Sequence, residues 1–590
     1  MGLNITIIDR RSGIVSAVWL FLFLCVADLY AQTPEKDAVL NRTVVVENEY
    51  NPEIMDASKI NILPAIEEPA VSPKNVEYST GQSPASDYGV YEPMLSFADG
   101  PVQPPKYRGY AHLGYGNYGN VDAGLGYLFS ISEKDQLGVT AKLGGMNGTL
   151  HLPSPYWVNG KAMDWKSYFY SSGIDLDYVH AFQKFKMNIT GDFGVDNFNY
   201  HQFPIRLPLI MGGDWIYMPY FDGRQNQTKG KLQALFASSD ESLPLQFDVQ
   251  AGYSYFDKKY DFGEKKLDKE NLITLNADLR GAVNEWQKIG LKLAMNNFSY
   301  NLKENDSYTS LEVNPYYSLN REHWRIRFGA HVNFSFGKGS VLEASPDVDI
   351  QFGFGENYAL FLKATGGRIL NDYRQMESVD PYWMIYRPEW WKNTYIPVDA
   401  SFGLKMSPVK GARFNLFAGY QIRKNELCFD DFYPEMSSYA YSYVQTGTMK
   451  EFYAGIELGY FYKDFLDIAA DATFHRLKDP KNSLFLMKPE LELNLRADFK
   501  LFTSFYLNLG YEYISRHKVF HNDISSRMGN WLSEYKMNPV NNLSLGLTYN
   551  FWKGASAYVK LRNILNRDYQ YYYSYPAEKL NFLAGLSVKF

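Results

Sequence analysis

The side chains able to do chemistry are spread thinly along this 590-residue sequence. Its nine histidines stand at His112, His151, His180, His201, His323, His331, His475, His517 and His521. Only His517 and His521 share a four-residue spacing, which brings two imidazoles to one metal when the segment is helical. The flanking residues read instead as a strand end and a loop. Asp430, Asp431 and Glu435, with Glu426, are oxygen ligands of the kind calcium takes, and a solvated acidic loop is the plainer reading of the same residues. Gly114-Tyr115-Gly116-Asn117-Tyr118-Gly119 has the glycine spacing of a dinucleotide loop, but no helix follows to receive a pyrophosphate, so it reads as a hairpin tip. The sequence contains no HExxH, no phosphate-binding loop and no CxxC. Of its two cysteines, Cys25 falls in an N-terminal apolar run and Cys428 stands alone, so a chain cut after that run keeps one thiol and no internal disulfide. The expectation is a protein that is not an enzyme, with no catalytic, metal or cofactor-binding residues.

What must then be explained is the composition. Aromatics reach 17%, with Tyr 48 and Phe 39, yet hydrophobic residues make up only 46% and mean hydropathy is -0.34. Tyrosine is filling positions that are half apolar and half wet. A net charge of -6 and a pI near 5.9 exclude a nucleic-acid partner, which would ask for a basic surplus. Residues 1–31 read as a signal peptide, with Arg10 and Arg11 ahead of an apolar stretch at 15–26 and Ala31 at the cut. That stretch falls short of the roughly 20 apolar residues of a spanning helix. Residues 32–106 are irregular, with proline recurring from Pro34 to Pro105 and one short strand candidate at Thr43, Val44, Val45 and Val46.

From residue 107 the pattern turns to period two and keeps it to the end. Ile273, Leu275, Ala277 and Leu279 alternate with Thr274, Asn276, Asp278 and Arg280. Leu491, Leu493, Leu495 and Ala497 alternate with Glu492, Asn494, Arg496 and Asp498. Charges on one face exclude a soluble sandwich, whose inner positions must be apolar; the polar face meets water and the apolar face meets lipid. The segments run about ten residues, the length with which a tilted strand crosses hydrocarbon. About 22 of them follow one another. Tight connections (Gln183-Lys184, Asn284-Glu285-Trp286, Gly355-Glu356-Asn357, Lys463-Asp464) alternate with mostly long ones, as in a barrel inserted from one side. The fold class expected is an all-β transmembrane antiparallel barrel over residues 107–590, located in the bacterial outer membrane.

The last strand, ending in Phe590, and the run Leu561-Arg562-Asn563-Ile564-Leu565-Asn566-Arg567-Asp568-Tyr569 followed by Tyr575-Pro576 resemble the closing hairpin of TonB-dependent receptors. The resemblance extends over residues 107–590 and implies a 22-stranded barrel with a receptor or transport function. Arg42-Thr43-Val44-Val45-Val46-Glu47 resembles that family's TonB box, an extended run able to add a strand to a partner's sheet. The family's folded plug exceeds a hundred residues, however, and residues 32–106 are too short for a complete one. A plugless barrel of this width would leave an aqueous hole. The lumen is expected to be lined by Asp278, Arg280, Glu492, Arg496, Lys560 and Arg562. Loops rich in aromatics, with Trp157 in one and Trp383, Trp390 and Trp391 in another, either pack over that lumen or form a docking face. Expected partners are outer-membrane lipid, TonB, or other outer-membrane proteins and lipoproteins; the runner-up to a receptor is a scaffold that transports nothing.

One expectation follows directly. The mature chain should leave membranes only with detergent, give a β-rich circular dichroism spectrum, and migrate differently on a gel before and after boiling. A freely soluble or helical polypeptide would contradict the reading.

Overall fold

The structure, a computed structural model, describes residues 107–152, 164–201, 209–211, 214–216, 223–240, 242–260, 269–301, 307–385, 391–431, 442–463, 465–478, 488–516, 518–522, 532–572 and 575–590. Within them, 22 antiparallel strands close into one barrel, as the period-two pattern predicts. The first strand, Gly109–Gly116, pairs with the second, Val121–Ser130, on one edge and with the last, Asn581–Lys589, on the other. Tyr110 lies opposite Lys589 and Gly116 opposite Leu583, so no sheet edge is left open. The chain end is tied in as well: the Arg108 and Gly109 amides donate to the Phe590 carbonyl at 2.9 and 2.7 Å. The signal peptide and residues 32–106, with the TonB-box-like Thr43 to Val46, lie outside the described residues.

Alternation along each strand decides which side chain meets which solvent. Leu113, Leu125, Ile174, Leu232, Ile273, Leu362 and Phe402 stand exposed on the outside, as only a lipid-facing wall permits. At the tight-turn end this band is bordered by Phe129, Trp324, Phe354, Tyr462 and Phe551, amphipathic or bulky rings at headgroup depth. The turns there are short. Phe502 and Phe505 flank one, and Trp552 and Ala555 another, in which Gly554 holds φ at +81° and a Cβ would sit 2.4 Å from the Lys589 carbonyl oxygen. At the other end strands overshoot the band. The hairpin of Ala412–Asp431 and Ser442–Tyr462 has 20 and 21 residues, about twice what hydrocarbon needs.

A barrel this wide has no side-chain core through its middle, so the inner wall packs sideways instead. Its joints are aromatic rings laid over glycines of neighbouring strands. Tyr316 covers Gly290 and Gly329, Tyr453 covers Gly419, Phe417 covers Gly455, Phe361 covers Gly403, and Tyr558 covers Gly114 and Gly585. A Cβ on Gly290 would fall 2.2 Å from the Tyr316 ring, and one on Gly419 2.4 Å from that of Tyr453. The ring shields its neighbour's backbone from lumen water while its hydroxyl stays hydrated or bonded: Tyr316 donates to Asp278 (2.9 Å) and Tyr453 to Asp399 (2.6 Å).

Gly419→Ala should therefore lower barrel stability by about 1–3 kcal/mol through overpacking. Truncating the ring with Tyr453→Ala should recover part of that loss in a double-mutant cycle of urea unfolding; strictly additive effects would show that the ring and the glycine are not a joint.

Candidate functional site

One described connection packs against strands far from its own: residues 370–385 and 391–393, between strands Tyr358–Ile369 and Thr394–Met406. It opens with a short helix, α1 (Tyr373–Val379), capped by Asp372, whose Oδ1 accepts from the Gln375 amide at 2.7 Å. Asp-x-x-Gln is a helix-start signal legible in the sequence, though a seven-residue helix in a β protein is easily passed over. α1 reaches strands far from its own in the barrel order. Arg374 meets Asp192 at 3.0 Å, on strand Phe185–Asn199, and the Tyr373 amide donates to Glu270, which opens strand Glu270–Ala282. Further on, Trp383-Met384 lies parallel to Ser442-Tyr443 of the tall hairpin.

Two aromatic clusters hold this segment. Around Trp383, Trp391, Tyr373 and Met376 gather Phe256, Leu272, Phe298, Tyr300, Tyr308, Leu427 and Val444. Tyr382 packs with Phe198, Tyr200, Trp165 and Tyr575, its ring stacked on that of Tyr575 at 3.4 Å. Strands from several sides of the barrel are thus fastened to one loop. Trp383 and Trp391 are buried, at 0% and 1% exposure, so these aromatics pack and are not offered to solvent. Trp157 and Trp390 lie outside the described residues.

Beneath the aromatic layer lies a charged one. Lys258, 2% exposed at the end of strand Leu245–Lys258, donates to the carbonyls of Pro381 (3.3 Å) and Trp383 (3.0 Å) and stands 3.9 Å over the Trp383 ring. Lys229 pairs with the buried Asp196 at 2.7 Å, and Gln227 donates to the same carboxylate. Glu377 of α1 faces Lys258, Lys229 and Asp196; burial pushes its carboxyl up to about 7, against the pull of the Lys258 ammonium. Burial likewise raises Asp372 and the Tyr382 hydroxyl. None of Lys258, Asp192, Asp196, Arg374 or Glu377 stood out in the sequence, because each is an ordinary polar residue on a water-facing strand side or in a loop.

The lumen wall below is a set of charge pairs. Asp278 accepts from Tyr316, whose ring carries the Arg327 guanidinium at 3.6 Å; Arg327 also binds Asp347 at 2.8 Å. Arg280 pairs with Asp248 (2.5 Å), Lys560 with Asp122 (2.8 Å), and Arg496 with Asp498 (3.2 Å) and Asp467 (3.9 Å). Glu492 lies within electrostatic reach of His475, Lys488 and Arg516, and Arg562 is exposed on the face that carries Lys560. The six residues expected to line a lumen lie on three strands, Glu270–Ala282, Leu491–Phe502 and Ala555–Arg562, and make no single site.

The histidines take structural places. His112, His151, His180, His331 and His475 each contact a carboxylate, at 2.6–3.1 Å. Of the acidic group around Glu426, that residue itself binds Lys488 at 2.7 Å and Arg423 at 3.2 Å. The side chains of Asp430, Asp431, His517 and His521, and all of Glu435, lie outside what is described. Among the described residues no three histidine, cysteine or acidic side chains are grouped to hold a metal.

Trp383→Ala removes the ring shared by the lysine and the aromatic cluster. It should weaken docking of the segment by about 3–5 kcal/mol, the cost of truncating a buried tryptophan. Amide hydrogen exchange across 373–385 should accelerate while exchange in the membrane strands stays unchanged.

No family model matches the sequence, and no curated sequence matches it either. Solved structures do. The ferric enterobactin receptor of Pseudomonas aeruginosa aligns with a TM-score of 0.59 at 10% identity over 82% of this chain and 80% of the receptor. The ferripyoverdine receptor of the same organism gives 0.58 at 11%, covering 83% and 72%. The siderophore receptor PirA of Acinetobacter baumannii gives 0.58 at 10%, covering 82% and 81%. At such identity the likeness is one of fold, and with the closed barrel and its apolar belt it leads to one statement. The chain has the fold of these receptors, a closed 22-stranded antiparallel β-barrel.

Proposed function

We propose that this barrel acts as a receptor of transport type at the bacterial surface, taking a solute through a lumen whose outer mouth its own loop closes. The observation that carries the reading is a closed 22-stranded barrel, wide enough to enclose water, with an aromatic loop packed against several of its strands. In the fold neighbours the solutes are iron chelates, ferric enterobactin and ferripyoverdine. A solute of that size class suits a barrel of this width, and coupling to TonB through Thr43 to Val46 would supply the energy that a closed lumen requires. The closed mouth also favours a second reading, a scaffold that transports nothing and holds lipoproteins or other subunits, because such a scaffold must keep its hole shut.

Deleting residues 43–46 separates the two. Loss of uptake-dependent growth, with the heat-modifiable barrel still present at normal level, is the outcome expected of a TonB-driven receptor. Unchanged growth together with stoichiometric partners in a mild detergent extract would replace it with the scaffold.

A further inference from the structure

We infer that residues 370–385 and 391–393 form a reversible lid, pinned to the barrel wall by Lys258, rather than a fixed part of the wall. The inference rests on how the segment is held. A permanently docked loop needs only an apolar seat, and the two aromatic clusters supply one. Here the interface also buries a cation from the wall and a carboxyl from the loop, with Asp196, Lys229, Asp380 and the Arg374–Asp192 pair around them. Burying a charge costs much unless its partners are present, so removing the lysine leaves the two loop carbonyls it binds without a donor and is strongly destabilising. An interface built so is specific when intact and released by a single change of charge. The lysine also sits where a pin belongs: its ammonium binds two loop carbonyls, Pro381 and Trp383, and touches the loop's central ring, so the fastening runs through the loop backbone.

The direction of a pH response follows from Glu377. Facing it are Lys258 from strand Leu245–Lys258, Lys229 from strand Arg224–Ser238, and Asp196 from strand Phe185–Asn199. When docked its carboxyl titrates near 7; when released into water it returns to about 4.5. The docked form therefore holds more protons between those values. Docking is strongest at the acid end of this window and weakens as pH rises through about 7.

The test reads loop position and not uptake, so the lid can fail while the receptor reading stands, and the reverse. In detergent-purified full-length protein carrying Cys428→Ser, Met376→Cys places a thiol at a position with 0% exposure. Its modification by a bulky maleimide is timed against an exposed reference, Glu133→Cys, which corrects for thiol ionisation. With Lys258 intact, labelling should be at least a hundredfold slower than the reference at pH 5.5 and rise severalfold by pH 8. Lys258→Met should raise the rate at least tenfold at pH 5.5, with the heat-modifiable band confirming a folded barrel. Glu377→Gln, a neutral stand-in for the protonated acid, should stay slow and lose the pH response. Equal rates with and without Lys258 would overturn the pin. Should Lys258→Met fail to fold, the pH series decides alone: a rate flat from pH 5.5 to 8, or an unchanged rise in Glu377→Gln, overturns the lid.

Discussion

In hydrocarbon an unpaired backbone N–H or C=O costs several kcal/mol, and only a closed hydrogen-bond ladder avoids that cost when the spanning elements are strands. Everything else in this protein is arranged around that requirement. The pairing of Gly109–Gly116 with Asn581–Lys589 removes the last open edge, and the chain's final carbonyl is bound by two amides at the seam. Closure with 22 strands then creates a second difficulty, because the enclosed space is too wide for opposing side chains to meet. The wall has to be rigid by itself. Rings over glycines on the inner face, with charge pairs between them, supply lateral packing where a narrower barrel would use a core.

The same width explains why one loop matters more than its length suggests. Segment 370–393 is the element through which distant parts of the rim touch. It gathers residues from strands on several sides into two aromatic clusters, and sets a charged layer of Lys258, Glu377, Asp196 and Lys229 beneath them. Aromatic contact gives the loop affinity for the mouth, and the charged layer gives it one register. Burying both kinds of contact in one interface exchanges some stability for a single docked position.

Much of the barrel was legible from the sequence because its signal is repeated. Period-two alternation with charges on one side leaves lipid outside and water inside as the only consistent solvent assignment, and each strand repeats that message independently. Parity alone puts Asp278 with Arg280, Glu492 with Arg496, and Lys560 with Arg562 on one face of their strands. Parity says nothing about neighbours around the ring. That Arg327 stacks on Tyr316, or that Glu426 pairs with Lys488, depends on strand register, and register is a pairwise property. Trp383 and Trp391 drew attention as aromatics too apolar to stand in water, which favoured packing over docking without deciding between them.

Strand length, strand face and the alternation of tight and long connections could be read along the chain, because each is a local consequence of backbone geometry meeting two solvents. The docking of residues 370–385 and their meeting with Lys258 could not. Those contacts join residues more than a hundred positions apart, and nothing in either local stretch encodes the other. The closed ring brings them within reach, and burial then converts an ordinary lysine and an ordinary glutamate into the fastening of the mouth.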